Sequence, residues 1–190
     1  MHWTIPNLLT LLRVALIPVV IVLYLGDFPG YLVAGIFLLA GITDWADGYL
    51  ARQLDEASPF GAFLDPVADK LMVSAVLILL VADAALMNSI VSPELFTVVT
   101  AIIVGREITV SALREWMAEL GRRGVVAVGW IGKVKTTVQF VAITTLLFAQ
   151  TGIHPALLLL GEALLYVAGA LTFWSMLVYI RGAWPSLSEQ

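Results

Sequence analysis

Six long apolar segments divide the sequence, and they constrain its fold more than any other feature does. They lie at residues 7–25, 31–52, 59–82, 93–117, 133–150 and 156–181. Each is close to the roughly 20 residues that an α-helix needs to cross the hydrocarbon core of a bilayer. Six such spans leave little of a 190-residue chain for a soluble domain. The sequence therefore predicts an all-α fold, an integral membrane bundle of six transmembrane helices in which residues 1–190 form a single domain.

The composition agrees with a membrane protein and excludes several other classes. The chain is 61% hydrophobic and 13% charged, whereas soluble domains are about 45–50% apolar and about a quarter charged. It contains no cysteine, which excludes disulfides and thiolate metal sites. Its net charge of -4 argues against a nucleic-acid partner.

The basic residues predict how the bundle is oriented, because Lys and Arg near the ends of spans favour the cytoplasmic side. The loops near 26–30, 83–92 and 151–155 contain no Lys or Arg. With the N-terminus inside, the inner connections contain or adjoin Arg13, Arg52, Arg122, Arg123, Lys133, Lys135 and Arg181. Both termini are therefore predicted to be cytoplasmic, in the inner (cytoplasmic) membrane of a cell, with the functional site facing the cytoplasm.

Four aspartates, Asp44, Asp47, Asp65 and Asp69, interrupt the second and third segments. Their spacings of three and four residues place each pair on one face of a helix. At 1.5 Å per residue, Asp44 and Asp69 lie about 12 Å and about 15 Å from the cytoplasmic ends of their helices. The connection at 53–58 is short, so the two helices should be antiparallel neighbours. The four carboxylates are therefore expected to converge on one inward-opening cleft.

Four like charges in such a cleft repel one another unless cations neutralise them. Oxygen ligands without nearby His or Cys suit Mg²⁺ or Mn²⁺, and two divalent ions would balance four carboxylates. Gly48, Ala51 and Gly61 leave room for a ligand to approach the backbone, although small residues also serve helix packing. Arg52 suits an anionic ligand. Together these residues predict a metal-dependent site for a diphosphate.

The second and third segments contain the pattern Asp44-x2-Asp47-Gly48-x2-Ala51-Arg52-x8-Gly61-x3-Asp65-x3-Asp69. This pattern resembles the whole signature of the CDP-alcohol phosphotransferase family. The resemblance implies a six-helix membrane fold, usually a homodimer, and transfer of a phosphatidyl or related group from a CDP-linked donor to an alcohol, with release of CMP. It also implies that the four aspartates surround the divalent metals and that Asp69 is the catalytic base.

Three further stretches resemble one branch of that family. They are "IPNLLTLLRVALIP" at 5–18, "VGREITVSALREWMAELG" at 104–121 and "VGWIGKVKTT" at 128–137. The resemblance implies CDP-diacylglycerol as donor and glycerol 3-phosphate as acceptor. The sixth apolar segment carries no such pattern.

Arg106, Arg114, Lys133 and Lys135 are candidates for binding the phosphate of that acceptor. A guanidinium within a span is costly and usually functional. Bidentate arginine together with lysine is the expected way to hold a phosphate. The alternative for the two lysines is a topology signal alone. Glu107 is expected only to pair with an arginine, and it is assigned no role.

Asn7, Thr10 and Glu162 are further polar residues within the apolar segments. Asn7 and Thr10, at the inner end of the first segment, are candidates for hydrogen bonds to the cytidine or diphosphate of the donor. Asn7 follows Pro6, however, and is equally suited to cap a helix. Glu162 is expected near the outer end of the sixth segment, where it would meet water or headgroups.

Other functions use similar residues. A cation or proton transporter also places carboxylates within the membrane, but it does not need Gly and Ala at these intervals. An intramembrane prenyltransferase carries its two aspartate-rich motifs in separate halves of a larger bundle, whereas here they lie on adjacent helices. Within the family, the acceptor could instead be serine, an inositol phosphate or phosphatidylglycerol.

Overall fold

The structure is a computed structural model that describes residues 5–54, 59–119, 130–149 and 155–188. Some side chains in these ranges are not described, namely those of residues 5–6, 45–54, 59–63, 65–66, 130–131, 133, 183 and 185–188. The described residues form seven helices: α1 (Ile5–Leu25), α2 (Gly30–Leu54), α3 (Pro59–Ala82), α4 (Ala84–Met87), α5 (Pro93–Glu119), α6 (Trp130–Ala149) and α7 (Pro155–Ser188). The all-α prediction is confirmed for this part of the chain.

All six predicted segments are helices in the structure, and most of their ends lie within three residues of the prediction. The third segment has the predicted bounds at both ends. It begins at Pro59, and proline is favourable there because the first amide of a helix has no partner within the helix, so its absence costs no hydrogen bond. The largest difference is at the end of α7, which continues beyond residue 181 to Ser188. The apolar run marks only the part of a helix that suits hydrocarbon, whereas backbone hydrogen bonds continue into polar surroundings.

The short helix α4 was not predicted, since the sequence indicated only a loop there. Asp83 precedes it as the N-cap, and its Oδ1 accepts hydrogen bonds from the amides of Ala85 and Leu86 at 2.9 and 3.1 Å. Its Oδ2 accepts a third from the hydroxyl of Tyr24 at 3.0 Å. One carboxylate thus starts α4 and ties it to the far end of α1.

The predicted loop near 26–30 is a tight turn between α1 and α2. The amide of Phe28 donates to the carbonyl of Leu23 at 3.1 Å, and that of Asp27 donates to Tyr24 at 3.3 Å. Asp27 has a φ of 55°, the left-handed conformation that aspartate tolerates better than most residues. This is a Schellman motif, and it satisfies carbonyls at the end of α1.

The chain forms two compact units. The first contains Met1–Ser89 and Ile143–Leu158. Within it α1 packs against both α2 and α3, and α2 contacts α3. Val20, Phe37 and Leu77 are among its buried side chains. The predicted adjacency of the two aspartate-bearing helices is therefore present in this unit.

The second unit contains Ile90–Ala142 and Leu159–Gln190. Phe96, Ile103 and Leu165 are among its buried side chains. Gly169 of α7 lies so close to Val99 of α5 that a Cβ at this position would stand 2.5 Å from a Val99 methyl carbon. A single domain over residues 1–190 stays a prediction.

Three helical stretches in the described part of the chain are long and apolar enough to cross a membrane, namely Asn7–Leu25, Pro93–Glu119 and Pro155–Gly182. Gly30–Asp44 and Val134–Ala149 are shorter apolar helices. Large apolar side chains on these helices are exposed, including Val22, Leu39 and Trp174. A surface of this kind suits lipid and is rare on soluble monomers. Six spans and cytoplasmic termini remain predictions.

Candidate active site

The backbone of the first unit supports the predicted arrangement of the aspartates. Asp44 and Asp47 lie within α2, and Asp65 and Asp69 lie within α3. Helix continues through both pairs, so each pair shares a face. Among the residues predicted to bind the donor or the metals, six have side chains outside the described set, namely Asp47, Asp65, Gly48, Ala51, Arg52 and Gly61. The roles proposed for these six residues therefore stay predictions.

Asp44 forms an ion pair that the sequence did not indicate. The Nη1 of Arg13 lies 2.9 Å from the Oδ1 of Asp44, and the Arg13 side chain is 1% exposed whereas that of Asp44 is 50% exposed. A guanidinium this deeply buried requires an anionic partner. Sequence reasoning used Arg13 only for topology, although a cation inside an apolar span was itself a signal of function.

Arg13 continues a buried polar stripe along α1. Asn7 and Thr10 are also buried, and the three residues follow one another at intervals of three along the helix. Residues three apart lie on neighbouring positions of one helical face. Each step of three residues turns about 60° around the helix, so Thr10 neighbours Arg13 and Asn7 lies about 120° from Arg13.

The donor atoms of the first unit fit a hard divalent cation. Arg13 contacts Oδ1 of Asp44, and the half-exposed carboxylate is still accessible to a ligand. Asp69 is also exposed, so its carboxylate is accessible to a substrate. Among the described side chains, no three His, Cys, Asp or Glu residues form a metal-binding group. Because two of the four aspartate side chains lie outside this set, the predicted four-carboxylate cluster stays a prediction.

The second unit joins two of the predicted acceptor-binding cations through Glu107. The Oε1 of Glu107 accepts a hydrogen bond from Nη1 of Arg106 at 3.1 Å and another from Nζ of Lys135 at 2.5 Å. Arg106 is buried, and Lys135 is only 2% exposed. The arginine of α5 and the lysine of α6 are therefore held together by one carboxylate oxygen.

Two residues of α7 also hold Arg106, and the sequence did not identify either. Its Nη2 donates to the hydroxyl of Ser175 at 3.3 Å, and its guanidinium carbon lies 5.7 Å from the centre of the Tyr179 ring. Ser175 in turn donates to the carbonyl of Thr172 at 2.9 Å. In the sequence, Ser175 and Tyr179 are distinguished only by a spacing of four residues, which places them on one face of the helix. Such a spacing occurs in any helix, so it does not identify a site.

The other two predicted cations are not part of this network. Arg114 is exposed, and in the described part of the chain it makes no ion pair. The side chain of Lys133 lies outside the described residues. Both assignments to the acceptor phosphate stay predictions.

The expectation that Glu162 meets water or headgroups is wrong, whereas its place near the outer end of the segment stays a prediction. It is 2% exposed, and it does not face water. Its two carboxylate oxygens accept hydrogen bonds from the amides of Val91 and Ser92 at 3.1 and 3.3 Å, and Oε1 also accepts one from Tyr166 at 2.6 Å. The carboxylate thus satisfies free amides just before α5, where a negative charge is favourable.

Residues 3–174 match the CDP-alcohol phosphatidyltransferase family, and the chain belongs to this family. The family predicted from the aspartate signature is thereby confirmed. Three relatives share one name, CDP-diacylglycerol--glycerol-3-phosphate 3-phosphatidyltransferase.

The similarity to these relatives covers nearly the whole chain. The protein from Pseudomonas fluorescens is 51% identical over 187 residues, which are 96% of this chain and 91% of the relative. The proteins from Pectobacterium atrosepticum and Escherichia coli K12 are 49% and 47% identical, over 191 and 193 residues, and both comparisons cover 100% of each chain.

Proposed function

We propose that this protein transfers the phosphatidyl group of CDP-diacylglycerol to glycerol 3-phosphate, forming phosphatidylglycerophosphate and CMP. The observation that carries the proposal is the similarity over the full chain to relatives that all bear the name of this activity. The pair of buried cations on α5 and α6 supports a phosphorylated acceptor. Serine has no phosphate to occupy such a pair, so it is a weaker candidate.

The donor is assigned to the aspartate-bearing helices. Asp44, Asp47, Asp65 and Asp69 would bind two Mg²⁺ or Mn²⁺ ions, which neutralise the diphosphate and make its phosphorus more electrophilic when bound. Donor binding is further assigned to Gly48, Ala51, Arg52, Gly61, Asn7 and Thr10. The burial of Thr10, which neighbours Arg13 on α1, and of Asn7, one step further along the helix, supports their part in this assignment.

Asp69 is the proposed catalytic base. It accepts the proton of the attacking glycerol hydroxyl, whose oxygen forms a new bond to the phosphatidyl phosphorus while the bond from that phosphorus to the CMP oxygen breaks. Its exposure in the structure is compatible with this role. Arg106, Arg114, Lys133 and Lys135 are assigned to the phosphate of the acceptor.

The membrane arrangement is part of the same proposal. The protein has six spans, both termini are cytoplasmic, and the active site faces the cytoplasm from the inner membrane. Three long apolar helices, two shorter ones and the distribution of Lys and Arg support this topology. The family resemblance supports a homodimer. A lipid donor accounts for a polar site built within apolar helices.

An acceptor panel tests the function. The purified chain in detergent receives CDP-diacylglycerol, Mg²⁺ and, in separate reactions, glycerol 3-phosphate, serine, inositol phosphate or phosphatidylglycerol. We expect CMP release and a phosphatidylglycerophosphate product with glycerol 3-phosphate. Preference for another acceptor would contradict the assigned substrate. Absence of CMP release with every acceptor would contradict the transferase and favour the transporter alternative.

A further inference from the structure

Glu107 is an acid placed between two cations that the proposed function assigns to an anion. Its Oε1 is shared by Nη1 of Arg106 and Nζ of Lys135. A carboxylate at this point opposes the binding of a phosphate by simple charge repulsion. If this site binds a phosphate, Glu107 must therefore also favour phosphate binding in a way that outweighs the repulsion.

That second effect is the ordering of two long side chains. Lys and Arg lose considerable rotamer freedom when a ligand immobilises them, and this loss weakens binding. The shared oxygen of Glu107 already fixes the ammonium of Lys135 beside the guanidinium of Arg106. Ser175 and Tyr179 fix the same guanidinium from α7. The two cations are thus ordered before any anion arrives.

We propose that Glu107 is a positioning residue that holds Lys135 and Arg106 in the arrangement that receives the phosphate of the acceptor. The inference rests on the proposed function and adds to it a residue that does not contact the reacting atoms. The alternative is that Glu107 only neutralises two buried charges. Only the positioning role predicts that removing the carboxylate raises the KM for the acceptor.

The decisive variant is Glu107→Gln, which keeps the size of the side chain and removes its charge. If Glu107 positions the cations, the KM for glycerol 3-phosphate rises about tenfold, because both long side chains must then be ordered on binding. The KM for CDP-diacylglycerol and the kcat stay nearly unchanged. If Glu107 is only a counter-charge, its removal leaves more positive charge, and the KM for glycerol 3-phosphate falls or stays constant, which would overturn the proposal.

Glu115→Gln is the matched control, because Glu115 is an exposed glutamate on the same helix. It should leave both KM values unchanged. Glu107→Asp retains the charge on a shorter side chain and should restore part of the affinity for glycerol 3-phosphate. If Glu107→Gln does not fold in detergent, Glu107→Asp is used as the test instead. We expect its KM for glycerol 3-phosphate to be higher than that of the wild type. An unchanged KM would contradict the positioning role.

A double-mutant cycle with Lys135→Gln tests whether Glu107 acts through the lysine. In the Lys135→Gln background, Glu107→Gln should raise the KM for glycerol 3-phosphate by less than it does in the wild type. Equal effects in the two backgrounds would overturn the proposal. Failure of the proposed function is distinguishable, since it would appear in the wild-type chain as a lack of turnover with glycerol 3-phosphate.

Discussion

Asp44 and Asp69 are both exposed, but their proposed roles differ. Asp44 pairs with the buried Arg13 and is assigned to the metal ions, whereas Asp69 on the next long helix is also the proposed base. We predict that Asp69→Asn loses kcat while it retains affinity for CDP-diacylglycerol better than Asp44→Asn does. A base acts mainly on the chemical step, whereas a principal metal ligand acts on binding as well. Donor affinity and kcat of both folded variants are measured, and equal losses of donor affinity would contradict the distinction.

The acceptor-binding cations should differ in their effect on the KM for glycerol 3-phosphate. We predict that Arg106→Gln and Lys135→Gln raise this KM about tenfold to hundredfold, since a charge-assisted hydrogen bond is worth about 1.5–3 kcal/mol. The KM for CDP-diacylglycerol should stay nearly constant. Arg106→Lys should not rescue fully, because lysine lacks the planar fork of donors. Arg114→Gln provides a comparison, and its exposed side chain leads us to expect the smallest effect of the three.

If all three neutral variants leave saturation by glycerol 3-phosphate unchanged, the basic residues serve topology and packing. The acceptor would then carry no phosphate, as in other branches of the family. Saturation curves for both substrates in correctly folded protein are the measurement.

The sequence could identify a polar residue as functional only where its residue type alone was informative. Arg106 and Lys135 stand out because a cation in or beside an apolar run is costly without a purpose. The partners of these residues were not predictable. Ser175 lies 69 residues from Arg106, and the amides that Glu162 satisfies lie 70 and 71 residues before it. Local spacing carries no information about such contacts, so Glu162 was wrongly expected to be exposed.

The contact between α5 and α7 depends on a glycine. We predict that Gly169→Ala destabilises the protein by about 1–3 kcal/mol, because overpacking forces a shift in a well-packed contact. The new Cβ would stand 2.5 Å from a methyl carbon of Val99. Unfolding in mixed detergent micelles measures the loss, and a Val99→Ala background should relieve most of it.

Gly105→Ala is the matched control for this contact. It lies on α5, and apart from the adjacent backbone of that helix and its two chain neighbours no atom in the described part of the chain lies within 4 Å of its would-be Cβ. Alanine is the better helix former there, so this variant should lose no stability. A loss similar to that of Gly169→Ala would mean that the close approach to Val99 is not responsible.

Helices proved more predictable than contacts. Six runs of about 20 apolar residues correctly predicted six helices, because a helix that crosses a bilayer must be apolar over a length set by the thickness of the hydrocarbon core. The four residues of α4 are too few to show a period, and only the cap at Asp83 marks their beginning. The extension of α7 to Ser188 lies beyond the apolar run, so its length could not be predicted from hydropathy.

The activity of the whole molecule should require a divalent cation. Four carboxylates on two neighbouring helices repel one another without one, and the diphosphate of the donor adds further negative charge. We predict that excess EDTA abolishes CMP release and that added Mg²⁺ or Mn²⁺ restores it. EDTA already saturated with Mg²⁺ is the control and should not inhibit. Full turnover in excess free EDTA would contradict the assignment of the aspartates.

The contacts of α7 also bear on the order in which the molecule matures during synthesis. Arg106 leaves the ribosome well before Ser175 and Tyr179, the two α7 residues that hold its guanidinium. A nascent chain that has inserted only α1 to α6 already contains every residue assigned to the donor and the base. It already contains Glu107 but still lacks Ser175 and Tyr179, so two of the contacts that hold Arg106 are not yet made. If the proposed role of Arg106 is right, the acceptor site is therefore complete only after α7 has been made.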